Sequence, residues 1–394
     1  GYIGAVIGAV LADQGHYINA VDNNDAAISE LNSGECSVPE PKLKEMIKSS
    51  VNAGHLTGST NYEDVPNSDV ILVTVGTPLS EEFDADLSAI RSVFDELSKN
   101  IKSGQIIMLK STVPPGVTRT IANEYFGDRE DIYIGFSPER LAEGNAIEEL
   151  KSLPIVVGGV NKESTKKCSD FWKDILGVEV IEVSSCEAAE LVKLADNQWI
   201  DLNIALGNEL AILCDALPYD LDILEIIKGA NSLRKGQSFV NILTPSIGVG
   251  GYCLTKDPWF LSALARKNNI DIDLPRTGRL VNDGMPKYCI EKIKEYFNNK
   301  KDLSKIRIGI LGYSFKTNSG DVRFSPMETF AEGIVDKVAS ISVFDSTISS
   351  NSIRNSKISL SSSWRDCVEG VDCVVFGTAH DDLLEINLKD LANL

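Results

Sequence analysis

Five short β-rich runs punctuate the first 160 residues: "YINAVD" (17–22), "VILVTVG" (70–76), "QIIMLKST" (105–112), "IYIGFSP" (132–138) and "LPIVVGG" (153–159). The stretches between them carry helical patterns. Strands that are apolar on both faces cannot line a sheet with one wet side. They need helices packed above and below, which is the doubly wound parallel arrangement. A second set, "RIGILGY" (307–313), "SISVFD" (340–345) and "DCVVFGT" (372–378), repeats that grammar near the end of the chain. Between the two sets, from about Glu187 to Ala230, Leu191, Leu194, Ile204 and Leu210 recur at helical spacing with no proline before Pro218. This predicts a long helix and its partner, serving as connector or oligomerisation element. The outline is α/β, helical middle, α/β. The serine-rich run "SSNSIRNSKISLSSSW" reads as a loop or a weak strand and is given no function.

A chain of 394 residues exceeds one ordinary core, so two or three domains are expected. With 43% hydrophobic and 24% charged residues it is built to fold, not to stay disordered. Its net charge of -19 repels phosphate backbones, which argues against nucleic acid as a partner. Any phosphate it binds must be held by backbone amides and a few placed cations. The eight cysteines are scattered without a C-x-x-C pair, and His16, His55 and His380 lie far apart, so neither a disulfide framework nor a metal site is expected. The apolar runs are too short to span a bilayer and no basic, apolar leader opens the sequence, so the expectation is a cytoplasmic protein without a membrane partner.

The sequence starts "GYIGAVIGAVLADQGHYINAVDNN". Gly1, Tyr2, Ile3 and Gly4 read as the later part of a G-x-G-x-x-G turn, for which the pattern expects a preceding strand and one more glycine. In such a turn, glycines let backbone approach a pyrophosphate, and the following helix N-terminus supplies amides and a positive dipole. Asp22, ending the next strand at the expected distance, suits an adenosine ribose 2′-OH and would repel a 2′-phosphate, which predicts NAD over NADP. The alternative is that Asp22 caps the helix beginning at "NNDAAI". Two further loops leave strand carboxyl ends, where open parallel sheets place their ligands: "VGTPL", with Thr77 and Pro78, and "KSTVPPG", with Ser111 and Thr112. Both are expected to contact the cofactor, although threonine and proline also suit plain turns.

In "PSIGVGGYCLTKDP", Gly248, Gly250 and Gly251 precede Cys253, and Asp257 follows four residues later. So much backbone freedom around a thiol suggests a loop shaped to a ligand, against the alternative of a turn followed by a buried cysteine. Glu139 and Glu143 follow a strand in "FSPERLAEGNAIEEL", and Lys193 and Asn197 stand one turn apart in "EAAELVKLADNQW". Each alone is compatible with a solvated surface.

Taken in order, "GYIG…VDNN", "GTPL", "STVPPG", "SPERLAEG", "ELVKLADN", "GVGGYCLTKDP" and "LGYSFKTNSGDVRFSP" make the whole chain resemble the UDP-glucose/GDP-mannose dehydrogenase family. The resemblance implies two Rossmann-like doubly wound parallel-sheet domains joined by a long central helix and a helical dimerisation region, with boundaries expected at 1–180, 181–300 and 301–394. It further implies a homodimer, NAD as cofactor, no metal, and a UDP-sugar substrate whose CH2OH is oxidised to a carboxylate by two NAD+ in succession. Cys253 would trap the aldehyde as a thiohemiacetal that is oxidised to a thioester and hydrolysed. A soft nucleophile, fixed positive charge for developing oxyanions and a carboxylate for proton removal are the groups such steps need. Lys193 and Asn197 fit the second role, and Asp257 and Glu139 the third, without the residues deciding which carboxylate is the base. Thr112 would orient the hydrolytic water. The resemblance also places Glu139, Arg140, Leu141, Glu143, Lys193, Asn197 and Gly250 against the substrate, with Lys316 and Arg323 closing over its diphosphate.

"DLNIALGNELA" and "VNILTPSIGVGGYC" look most like the branch acting on UDP-N-acetylmannosamine. Phe239, Tyr252, Lys256 and Lys110 are departures from the expected pattern, with Lys256 like the UDP-glucose enzymes, while Arg234 offers a replacement cation. Two alternatives stay open: a UDP-glucose 6-dehydrogenase, and a single-hydride-transfer protein of the 6-phosphogluconate dehydrogenase type, which needs no thiol.

Overall fold

Each apolar run becomes a strand of four or five residues. The structure is a computed structural model describing residues 1–127, 129–236 and 238–391. It divides into two units. The first comprises Gly1–Asp196 with Ala263–Ile270, and the second comprises Asn197–Ser262 with the chain from Asp271 on.

In the first unit β1 (Ile18–Val21) and β2 (Leu56–Ser59) pair in parallel. β3 (Val70–Val73), β4 (Ile106–Leu109), β5 (Tyr133–Phe136), β6 (Ile155–Gly159) and β7 (Val180–Glu182) form a five-stranded sheet in that order. Successive residues of a strand feed opposite faces. Accordingly Ile107 and Leu109 join a core with Ile90, Phe94 and Phe136, while Met108 joins a second with Val6, Val10, Leu43 and Trp172. All five expected runs are strands; β2 and β7, short and partly polar, were not expected.

The sheet is parallel except at one step, where β6 runs antiparallel to β5, with Phe136 opposite Gly158. The connection between them holds only the five-residue helix Ala146–Leu150. It therefore does not cross back along a face as a βαβ unit would. This leaves residues 137–154 as a strap at the carboxyl ends of β4 and β5.

The helix Cys186–Ala216 runs from the first unit into the second. The expected helical stretch breaks at Pro218, which cannot continue a helix, and resumes as Ile223–Asn231. A small hairpin follows, β8 (Arg234–Lys235) with β9 (Ser238–Phe239). Beyond the helix Leu274–Phe297, β10 (Arg307–Leu311), β11 (Ser340–Phe344), β12 (Ile358–Leu360) and β13 (Cys373–Phe376) form a fully parallel sheet in the order β12, β11, β10, β13. β12 lies in the serine-rich run. Ile308, Ile310, Ile341 and Val343 pack against Phe330 and Met327 in the core of this sheet. The fold is thus α/β with two Rossmann-type sheets.

Candidate active site

At the N-terminal glycine turn the helix Tyr2–Asp13 starts directly from Gly1, which offers no side-chain cap to the first-turn amides. A Cβ on Gly1 would meet nothing within 4 Å, whereas one on Gly4 would lie 3.0 Å from Thr74 Oγ1. The Gly1 nitrogen stands 3.1 Å from Asp22 Oδ2, so turn and acid are neighbours. Asn24, not Asp22, caps the next helix, through Ala26 and Ala27 N–H. Asp22 accepts instead from Asn24 N–H at 3.0 Å. Burial works against its charge, but the Asn24 N–H bond holds its carboxyl below the usual range. These residues fit a dinucleotide with a free ribose diol. Thr77, buried, donates to Thr112 O at 2.7 Å and so ties the β3 and β4 loops together, while Ser111 is buried beside Val73 O. Pro78 accepts from Asp86 N–H.

The strap carries Glu139, Arg140, Leu141 and Glu143. Three of its amides are taken by carboxylates: Leu141 N–H by Glu139 at 2.5 Å, Ala142 N–H by Glu149 at 2.6 Å, and Gly144 N–H by Glu40 at 2.7 Å. Arg140 donates to Pro154 O and lies 3.8 Å from Asp196. Beneath Glu139 is Lys110, a buried lysine whose Nζ donates to Ser137 O at 3.1 Å. It stands 4.0 Å from Glu139 Oε2 and 5.1 Å from the Trp172 ring. Burial drives its pKa below the usual lysine range; Glu139 opposes this, and the charges of Lys193 and Arg140 reinforce it. Lys193 is itself buried on the central helix.

In the second unit the cysteine loop is built against the segment 315–324. A Cβ on Gly250 would lie 2.4 Å from Phe315 Cβ, and Gly251, at φ 83°, meets the Phe315 ring at 2.7 Å. Gly251 N–H donates to Arg323 O at 3.0 Å. The glycines thus allow close approach of two protein segments. Those segments carry Cys253 on one side and Lys316 and Arg323 on the other. Cys253 is exposed, on the turn that opens the helix Asp257–Lys267, and its carbonyl accepts Lys256 and Asp257 N–H at 3.2 and 2.9 Å. Asp257 is fully buried. One oxygen accepts from Asn197 Nδ2 at 2.5 Å, the other from Lys256 Nζ at 2.6 Å. Lys256 also lies over the Phe260 ring at 4.5 Å.

Sequence reading missed the groups that hold this loop. Buried Arg279 donates to Leu254 O, one residue beyond the thiol, and pairs with buried Asp201 at 2.7 Å. Asn282 and Asn208 extend the network to Ser246 N–H. Asp201 falls one helical turn beyond Asn197, which was the only hint. Asp345, ending β11, accepts from Tyr313 and Ser314 N–H at 2.8 and 2.9 Å and from His380 Nε2 at 3.0 Å. Asn318 N–H donates to His380 Nδ1, so the ring proton sits on Nε2. This strand-end acid is spent on the loop that bears Lys316. Among the described residues no three His, Cys, Asp or Glu side chains cluster to hold a metal.

The patterns of three domains match in order. The NAD binding domain of the UDP-glucose/GDP-mannose dehydrogenase family matches residues 1–176, its central domain 187–284, and its UDP binding domain 309–394. The chain is 31% identical to a UDP-N-acetyl-D-mannosamine dehydrogenase of Methanococcus maripaludis, over 99% of this chain and 87% of the relative. It is 32% identical to the Escherichia coli enzyme of that name, over 84% and 80%. The solved UDP-D-ManNAc dehydrogenase of Pyrococcus horikoshii superposes with a TM-score of 0.90 at 29% identity, covering 100% of this chain and 91% of the other. Glycine turn, the strand-end acid Asp22 and the UDP binding domain thereby have one common explanation: the chain belongs to the UDP-glucose/GDP-mannose dehydrogenase family and is an NAD-dependent nucleotide-sugar dehydrogenase.

Proposed function

We propose that the protein oxidises the C6 hydroxymethyl of UDP-N-acetyl-D-mannosamine to the carboxylate in two steps through a covalent Cys253 intermediate. The sugar assignment is supported by relatives bearing that substrate's name along the whole chain. The observation carrying the covalent route is an exposed thiol on a turn whose base is a locked, buried Asn197–Asp257–Lys256 triple.

A dinucleotide held by the glycine turn and Asp22 would supply the hydride acceptor for C6 in each of two rounds. In the first, a carboxylate, Asp257 or Glu139, removes the hydroxyl proton through a water as the aldehyde forms. The Cys253 sulfur then adds to the aldehyde carbon, and the thiol proton passes to the new hydroxyl. Loss of a second hydride from C6, with that proton passing to the same carboxylate, gives a thioester. Water, oriented by Thr112, adds to its carbonyl, the C–S bond breaks, and the thiol is restored. Lys193 and Asn197 stabilise the oxyanions at each stage. Arg140, Leu141, Glu143 and Gly250 hold the sugar, and Lys316 and Arg323 hold the diphosphate. Gly1 to Gly4, Asp22, Thr77, Pro78 and Ser111 hold the dinucleotide.

The active species is proposed to be a homodimer. On the central helix Trp199, Leu206 and Leu213 recur every seven residues at 51%, 46% and 53% exposure, an apolar stripe that a second copy would cover.

A panel of UDP-N-acetylmannosamine, UDP-N-acetylglucosamine, UDP-glucose and GDP-mannose with NAD+ tests the reading. Two NADH per sugar and a uronate product are expected, with UDP-N-acetylmannosamine the best substrate. Cys253→Ser should lower steady turnover by a factor of about 10³ or more. One NADH per sugar, or unchanged turnover without the thiol, would reject the covalent route.

A further inference from the structure

Glu40 belongs to none of the segments assigned above, yet it touches two of them. It is buried, and its Oε2 accepts both the Tyr2 hydroxyl, at 2.5 Å, and Gly144 N–H, at 2.7 Å. Tyr2 lies in the dinucleotide turn and Gly144 in the sugar strap, so a single carboxylate oxygen joins the two. A second tie runs beside it, where Lys42 Nζ meets Glu148 at 2.9 Å, but that pair is exposed and worth little. The Glu40 bridge is out of water, so losing either donor leaves a buried acceptor underpaired. Burial and the Glu40 bond also hold the Tyr2 phenol well above its usual range, so it stays a donor throughout the working pH.

The bridge has a consequence for a reaction that must exchange its dinucleotide midway while the sugar stays in place. Ordering the turn around a dinucleotide also orders the strap, so a sugar binding second has less conformational freedom to give up, and the reverse holds equally. We propose that Glu40 is a positioning residue that couples dinucleotide and sugar binding, so that each ligand strengthens the other's hold. This rests on the assignment of Tyr2 to the cofactor site and of residues 139–145 to the sugar site.

NADH with UDP-N-acetyl-D-mannosamine forms a complex that cannot turn over, so the coupling is measurable at equilibrium. NADH fluorescence is titrated with and without saturating sugar in the wild type, Glu40→Gln and Tyr2→Phe. The wild type should bind NADH about fivefold or more tightly in the presence of sugar, and the ratio should fall toward one in both variants. A merely structural tie would weaken NADH equally in both titrations and leave the ratio unchanged. Tyr2→Phe removes one hydroxyl and guards against a misfolded Glu40 variant. A ratio of one in the wild type, or a wild-type ratio in both variants, overturns the coupling while leaving the assigned function intact. Failure of every nucleotide sugar in the panel to bind overturns both.

Discussion

Asp257 has no solvent-exposed surface, and both of its oxygens already hold partners, Asn197 and Lys256. Removing one member of a buried pair strands the other's charge, so Asp257→Ala is expected to cost about 3–5 kcal/mol in urea unfolding. Adding Lys256→Met should recover part of that loss; a double variant as unstable as the single would show that the pair is not the cause. Glu190 is a second buried carboxylate, on the central helix, where it accepts Gly116 and Thr118 N–H at 2.6 and 2.7 Å and so caps the helix that follows "STVPPG". Burial pushes it up to about 7 from 4.5, against those hydrogen bonds. With the folded pKa raised, the folded state binds more protons than the unfolded one between these values. Its contribution is therefore fully present below about pH 4.5 and lost as pH rises through about 7. The stability difference between wild type and Glu190→Gln should narrow or reverse over that window, and a pH-independent difference in urea midpoints would refute it. Asp257 was legible because a motif carries it. Glu190, Glu40 and Lys110 were not, since a charged residue in sequence looks the same whether solvated or buried.

The central helix places Glu190, Lys193, Asn197 and Asp201 at spacings of three and four, and all four are buried. A different face bears the apolar stripe through Trp199, Leu206 and Leu213. The helix thus exposes an apolar stripe on one face while burying charged and amide groups, alongside Leu194 and Ala205, on another. Leu206→Glu with Leu213→Glu is expected to yield monomers in sedimentation analysis at micromolar concentration. Dimers of unchanged affinity would show that the stripe has another purpose. The strap between β5 and β6 is the other element on which the proposed chemistry depends. Its antiparallel return, with one short helix, keeps Glu139 to Asn145 at the carboxyl end of the sheet. Five apolar runs predicted strands, but the reversal is a matter of crossover, which periodicity does not encode.

With a net charge of -19, the molecule must meet a substrate bearing a diphosphate through a few local donors, not through its overall field. No described helix is long and apolar enough to cross a membrane. Because the proposed steps use a thiol, carboxylates and amides alone, millimolar EDTA is expected to leave NADH formation unchanged; a loss restored by a divalent cation would contradict this. The sequence by itself determined the α/β class and the family, and it named the glycine turn, Asp22 and Cys253 as candidates, because these are written in short segments whose chemistry is local. The tertiary structure alone decided what the glycines before Cys253 face, which acids are spent on protein amides, and how Glu40 spans two segments more than a hundred residues apart. Those facts depend on burial and on contacts between distant parts of the chain, and both arise only once the cores have closed.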